Sequence, residues 1–148
     1  LLDYKLFDDH ILLKAAVIHD LLEDVPETNV FEIRIIEGQA DDVLALVKEV
    51  TRPPDMPKEL YLKNILENGS YRAKVLKCAD RISNLTDLNT DTHSVKKIND
   101  YLDETEKWVL PMAQQVNQNM FRELSDLIIS RRKYARCASG LEPENASE

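Results

Sequence analysis

The scarcity of chain breakers constrains this sequence more than any other feature. Its 148 residues include only three glycines, Gly38, Gly69 and Gly140, and the prolines fall at 26, 53, 54, 57, 111 and 143. The segments between are rich in Leu, Ala, Glu and Lys and show little β-branched alternation. That combination argues for an all-α chain. Helices are predicted over about residues 9–23, 29–37, 40–50, 58–67, 71–85, 95–117 and 120–136. Asp8 or Asp9 caps the first, which stops before Pro26. Thr28 caps the second, and Gly38 closes it as a C-terminal glycine. The stretch TRPPDMP, residues 51–57, is a loop because its prolines cannot be helical, and NTDTHS, residues 89–94, is another. Pro111 is expected to kink the long helix around it. No internal repeat is visible. The small, polar tail over residues 138–148 is expected to be disordered.

A mass of 17.0 kDa suits one domain with a real core, here residues 1–137. The net charge of −8 argues against a nucleic-acid duplex or an anionic membrane as partner, since both favour a basic surface. A small anionic ligand is still admissible, given a local basic patch or a metal. No apolar run approaches a membrane span, and the opening LLDYKLFDD is not a signal peptide. Cys78 and Cys137 read as two free thiols in a reducing cytoplasm. Oligomeric state is not legible.

Charge gathers where the first predicted helix ends, in AAVIHDLLEDVPET, residues 15–28. On a helical wheel with His19 at the origin, Glu23 falls at about 40°, Asp20 at about 100° and Asp24 at about 140°. Earlier turns put Leu12, Leu13, Ala16 and Val17 on that same arc. Ile11, Ala15, Ile18, Leu21 and Leu22 fill the opposite side, and only His10 and Lys14 give a polar edge. A helix apolar almost all round is expected to be buried and central. Three carboxylates beside one imidazole at its end need a metal ion, a basic partner or plain solvent exposure. His10 lies about 180° from His19 and reads as a surface residue. His93, in a polar loop, reads as incidental.

A second stretch, KVLKCADRISNLTDL, residues 74–88, is also helical in pattern. Asp80, Asn84 and Lys77 share a polar stripe, with Val75, Cys78, Ala79, Ile82 and Leu85 on the other side. Taken alone, that stripe reads as a solvated face with an i, i+3 ion pair. Taken together, the two stretches offer His19, Asp20 and Asp80, a mixed N/O set that suits Mn, Fe or Zn better than Ca or Mg. There is no Gly-rich phosphate loop, GxSxG, CxxC or HExxH.

IHDLLED and KCADRISNL resemble the second and third motifs of HD-domain metal hydrolases. More narrowly, they resemble the hydrolase domain of RelA/SpoT proteins and its small stand-alone relatives. That family's pattern runs roughly LLHDxVEDT, a VT-containing loop, then KLADRLxNL, matched here by VIHDLLEDV, EVTRPP and KCADRISNL. The resemblance covers about residues 9–115. It implies an all-α HD-domain helical bundle, a divalent metal that is usually manganese, and removal of pyrophosphate from the 3′ position of guanosine tetra- and pentaphosphate, a small-molecule nucleotide substrate. It implies His19, Asp20 and Asp80 as metal ligands. Glu23 and Asp24 would then be the acidic pair that positions and activates water. Asn84 would face the nucleoside, Lys77 the site's edge or a phosphate, and Lys97 and Tyr101 further phosphate contacts. Ser83 stands where bifunctional members often have His, and Asp87 where they often have Thr. Both departures point to a hydrolase-only member. The family's first metal histidine and a basic loop that packs on guanine would precede Leu1, so the N-terminal part is expected to be missing. Two rivals remain: an HD phosphohydrolase for another nucleotide, and a degenerate HD module that binds without hydrolysing.

Overall fold

The structure, a computed structural model, describes residues 1–21, 25, 28–36, 38–88 and 93–138. Among the described residues there is helix and no strand, and no helix is long and apolar enough to cross a membrane. The chain divides into two compact units, Leu1–Lys77 and Cys78–Glu148. After a 3-10 turn at Leu2–Tyr4, the helices are α1 (His10–Ile18), α2 (Val30–Ile36), α3 (Ala40–Val50), α4 (Lys58–Asn68) and α5 (Tyr71–Asp87). Then come α6 (Val95–Glu104), a π turn (Thr105–Val109), α7 (Leu110–Val116) and α8 (Gln118–Ala138). The division between the units falls inside α5.

The first unit is organised by α3. Its Ala40, Val43, Leu44, Leu46, Val47 and Val50 are all buried, and it packs against α1 and α2. That spacing places the apolar residues on one broad stripe, with Asp41, Asp42 and Lys48 left to solvent. α1 begins as expected: Asp9 accepts a 3.0 Å hydrogen bond from the Leu12 N–H. Arg72 holds the other Asp9 oxygen at 2.8 Å. Partial burial works against the Asp9 charge, but the bonds from Arg72 and Leu12 win and hold its carboxyl below the usual range.

Several expectations are corrected here. α1 is not buried all round: Leu12 and Ala15 are, while Val17 is 84% exposed. Its packing partner is α3, on one side, so one face suffices. The cap of α2 is Asn29, not Thr28. Asn29 Oδ1 accepts from the Phe31 N–H at 3.1 Å and its amide donates to Glu32 at 2.9 Å, a reciprocal cap. The Thr28 hydroxyl instead donates to the Val25 carbonyl at 2.7 Å. Gly69, not singled out as a close approach, separates α4 from α5. A Cβ there would stand 2.4 Å from the Ile65 carbonyl oxygen, so no larger residue fits without a shift. Ser70 then caps α5, accepting from the Ala73 N–H at 3.2 Å while its hydroxyl donates to Glu49 at 2.8 Å.

In the second unit α8 packs along α6, the π turn and α7. Met120, Leu124, Ile128 and Ala135 of α8 meet a core that includes Ile98, Leu102, Val109, Met112 and Ala113. Asn117, in extended backbone, ends α7 and caps α8 through the Met120 N–H at 3.2 Å. The far end of α5 is closed by Arg131, whose guanidinium donates to the Leu85 and Thr86 carbonyls at 2.8 and 2.6 Å. These carbonyls have no partner within their own helix. The kink expected at Pro111 takes the form of the π turn just before it. Proline offers no N–H and its ring crowds the carbonyl four residues back, which wider winding relieves. Thr105 assists by donating its hydroxyl to the Tyr101 carbonyl at 2.7 Å. The tail expected beyond Ala138 lies outside the described residues.

Candidate active site

His19 and Asp20 occupy a turn where α1 gives out at Ile18, earlier than the sequence suggests. There the His19 ring meets the Ala16 carbonyl at 2.8 Å through Nδ1, one turn back along the chain. A carbonyl only accepts, so Nδ1 carries the proton and Nε2 presents a lone pair in the neutral ring. Nε2 lies 3.1 Å from Asp20 Oδ1, with the imidazole 21% and the carboxylate 65% exposed. Two acceptors at that distance repel unless a cation joins them. Either a proton on Nε2 or a metal ion meets that need, and a neutral imidazole oriented by a carbonyl is how metal-binding histidines are held. Glu23 and Asp24 lie outside the described residues.

In the second unit α5 presents Asp80 and, one turn later, Asn84, whose amide donates to Asp80 Oδ1 at 2.8 Å. Asn84 also reaches the hydroxyl of Tyr101, on α6. Burial is the main influence on that phenol and pushes its pKa up, while the Arg81 charge pulls the other way. Lys97 is exposed on the first turn of α6, with Ser94 accepting from its backbone N–H at 3.3 Å. Lys77, in the first unit, is half-buried with its ammonium 5.7 Å from the Tyr61 ring centre. Cys78 is buried, and burial pushes its thiol up to about 12, so it is inert.

Two groupings of predicted residues are therefore formed, His19 with Asp20, and Asp80 with Asn84 and Tyr101. Among the described residues, no group of three or more His, Cys, Asp or Glu is placed to hold a metal ion, Glu23 and Asp24 standing outside that set. Arg81 was missed by sequence reasoning. It is 2% exposed and donates to Thr105 Oγ1 and to Glu104, each at 2.7 Å. The available signal was its position on the wheel, about 40° from Leu85, at the border between the polar stripe and the apolar face.

The chain is 31% identical over 128 residues to the guanosine-3′,5′-bis(diphosphate) 3′-pyrophosphohydrolase MESH1 of Drosophila melanogaster, spanning 83% of this chain and 70% of that protein. To the protein of the same name in Mus musculus it is 32% identical over 129 residues, with the same coverage of each. The chain belongs to the MESH1 family of HD-type pyrophosphohydrolases. The Danio rerio member is 29% identical over 126 residues, 81% of this chain and 68% of its own. No protein-family profile matches the chain. The activity in the names of these relatives is hydrolysis at the 3′ diphosphate of a guanosine nucleotide.

Proposed function

We propose that this chain, acting as one hydrolase domain over residues 1–137 in the cytoplasm, releases pyrophosphate from the 3′ position of guanosine 3′,5′-bis(diphosphate) with the help of a divalent cation, manganese. The observation that carries the reading is the His19–Asp20 pair. Its ring tautomer is set by the Ala16 carbonyl, which leaves Nε2 and Asp20 Oδ1 facing one another across 3.1 Å. That pair stands in a chain whose relatives carry this activity in their names.

In this reading His19, Asp20 and Asp80 hold the cation, a nitrogen and carboxylate set that suits manganese. Bound there, the cation would acidify water and draw charge from phosphorus. Glu23 and Asp24 orient that water and accept its proton. Asn84 donates to Asp80 Oδ1 and so helps to orient the carboxylate for the ligand role. Lys77, Lys97 and the Tyr101 hydroxyl take phosphate oxygens, and Asn84 the nucleoside. A chain of net charge −8 needs such local cations to admit a polyanionic nucleotide.

The test is pyrophosphate release from guanosine 3′,5′-bis(diphosphate) across a manganese titration, for wild type and Asp20→Asn. Saturable, manganese-dependent release that the variant loses is expected. Manganese binding without release would transfer the site to another nucleotide or to a module that only binds.

A further inference from the structure

Arg81 is the one fully buried guanidinium among the described residues, and its surroundings are specific. Nη2 meets Glu104 and Nη1 meets the Thr105 hydroxyl, while Nη1 also lies 3.4 Å from the Tyr101 carbonyl. The flat face of the group covers the Tyr101 ring, 4.0 Å from its centre. Its Nε is buried with no acceptor among the described residues. A buried charge with one donor left over is a poor stabiliser, and apolar residues in place of Arg81 and its polar partners together would serve packing as well or better. What Arg81 supplies that an apolar residue cannot is geometry. It fixes Tyr101 at two points, the ring by stacking and the backbone by a bond to its carbonyl. The Thr105 hydroxyl closes the same loop by donating to that carbonyl at 2.7 Å. Thr105 also opens the π turn, a local winding often found beside functional residues. At the other end of the ring the hydroxyl meets Asn84, which donates to Asp80.

We propose that Arg81 is a positioning residue for substrate binding. It is the plate against which the Tyr101 ring is held, so that the hydroxyl stays beside Asn84 and Asp80 where a nucleotide phosphate arrives. The inference rests on the function proposed above. It also predicts that lysine cannot replace Arg81, because an ammonium carries the charge without the face.

The experiment compares manganese-loaded wild type, Arg81→Lys, Tyr101→Leu and the double variant, with guanosine 3′,5′-bis(diphosphate) as substrate. Arg81→Lys is expected to raise KM about tenfold with kcat within about threefold, the scale of a lost stacked cation. In the Tyr101→Leu background the same change should do nothing further, since there is no ring to hold. A readout independent of turnover is nitration of Tyr101 by tetranitromethane, resolved by peptide mass and referred to the exposed Tyr134. Arg81→Lys should accelerate it several-fold. Unchanged KM, an effect of equal size in both backgrounds, or an unchanged nitration ratio each overturns the proposal. If wild type releases no pyrophosphate, the proposed function fails by itself, and the nitration ratio then decides alone whether Arg81 holds the ring. Should Arg81→Lys not fold, Thr105→Val removes one of its acceptors and is expected to raise KM about threefold, the scale of one hydrogen bond. No rise there is equally fatal.

Discussion

His19 and Asp20 stand where a helix ends, whereas Asp80 stands inside one, with Asn84 a turn further along it. At the first place a side chain has taken over a backbone carbonyl, and the geometry is settled by residues within one turn of each other. At the second place the backbone is regular, and the geometry is settled by Arg81 of the same helix together with Tyr101 and Thr105, brought in from α6 and the π turn. A helix end can present ligands at little cost to folding, because water already reaches it. A mid-helix position presents them rigidly, but only through buried packing. Damage at the two places should therefore divide differently between activity and stability.

The sharpest way to break this contrast is Asp80→Ala. It is expected to abolish both manganese binding, read by calorimetric titration, and pyrophosphate release, while the far-ultraviolet circular dichroism stays helical. Unaltered manganese affinity would remove Asp80 from the ligand set and leave only the helix end as a site. Next in size is Glu23→Gln. Loss of a proton acceptor should slow turnover about a hundredfold with manganese binding retained. Full activity would shift the base role to Asp24.

Stability comes third. Arg81→Met removes the buried guanidinium from Glu104, Thr105 and the Tyr101 ring and should cost about 3 kcal/mol in urea denaturation. Asp20→Asn, at the exposed helix end, should change stability by less than about 0.5 kcal/mol. Equal losses would dissolve the distinction between the two places. The smallest effect concerns the other end of α1. Asp9→Ala removes the cap and should cost about 1 kcal/mol at neutral pH. The folded Asp9 carboxyl binds its proton less tightly than the ordinary 3.8, so its contribution is complete above that value. It drains as pH falls through the lowered folded value. The gap between wild type and variant should accordingly hold steady from about pH 7 to pH 5 and narrow below about pH 4. A gap independent of pH would show that the Arg72 and Leu12 bonds do not favour the ionised form.

Sequence periodicity located most helices because their signals are local. The spans read as 40–50, 58–67 and 71–85 emerge as α3, α4 and α5 with ends within two residues. The pairing of Asp80 with Asn84 was also legible, as an i, i+4 relation on one stripe. What escaped depends on competition or on distant partners. The end of α1 at Ile18 goes with a bond between the His19 ring and the Ala16 carbonyl, which a wheel does not represent. The exposure of Val17 depends on which faces neighbours cover. Arg81 escaped because a charge at the border of a polar stripe reads as solvated until Glu104 and Thr105, more than twenty residues away, are in view.

The bond from Arg131 to the end of α5 has a consequence in time. The helix carrying Asp80 and Asn84 cannot satisfy its last carbonyls until a residue 46 positions beyond Leu85 has been made. At about 5–20 residues per second, a nascent chain carries that open end for a few seconds after the rest of the helix exists. During that interval α5 is held only by its own ladder and its earlier neighbours, and the carbonyls of Leu85 and Thr86 are open to water or to any passing donor. The half built on this helix is thus completed later in synthesis than the His19 turn, whose bond to the Ala16 carbonyl spans three residues.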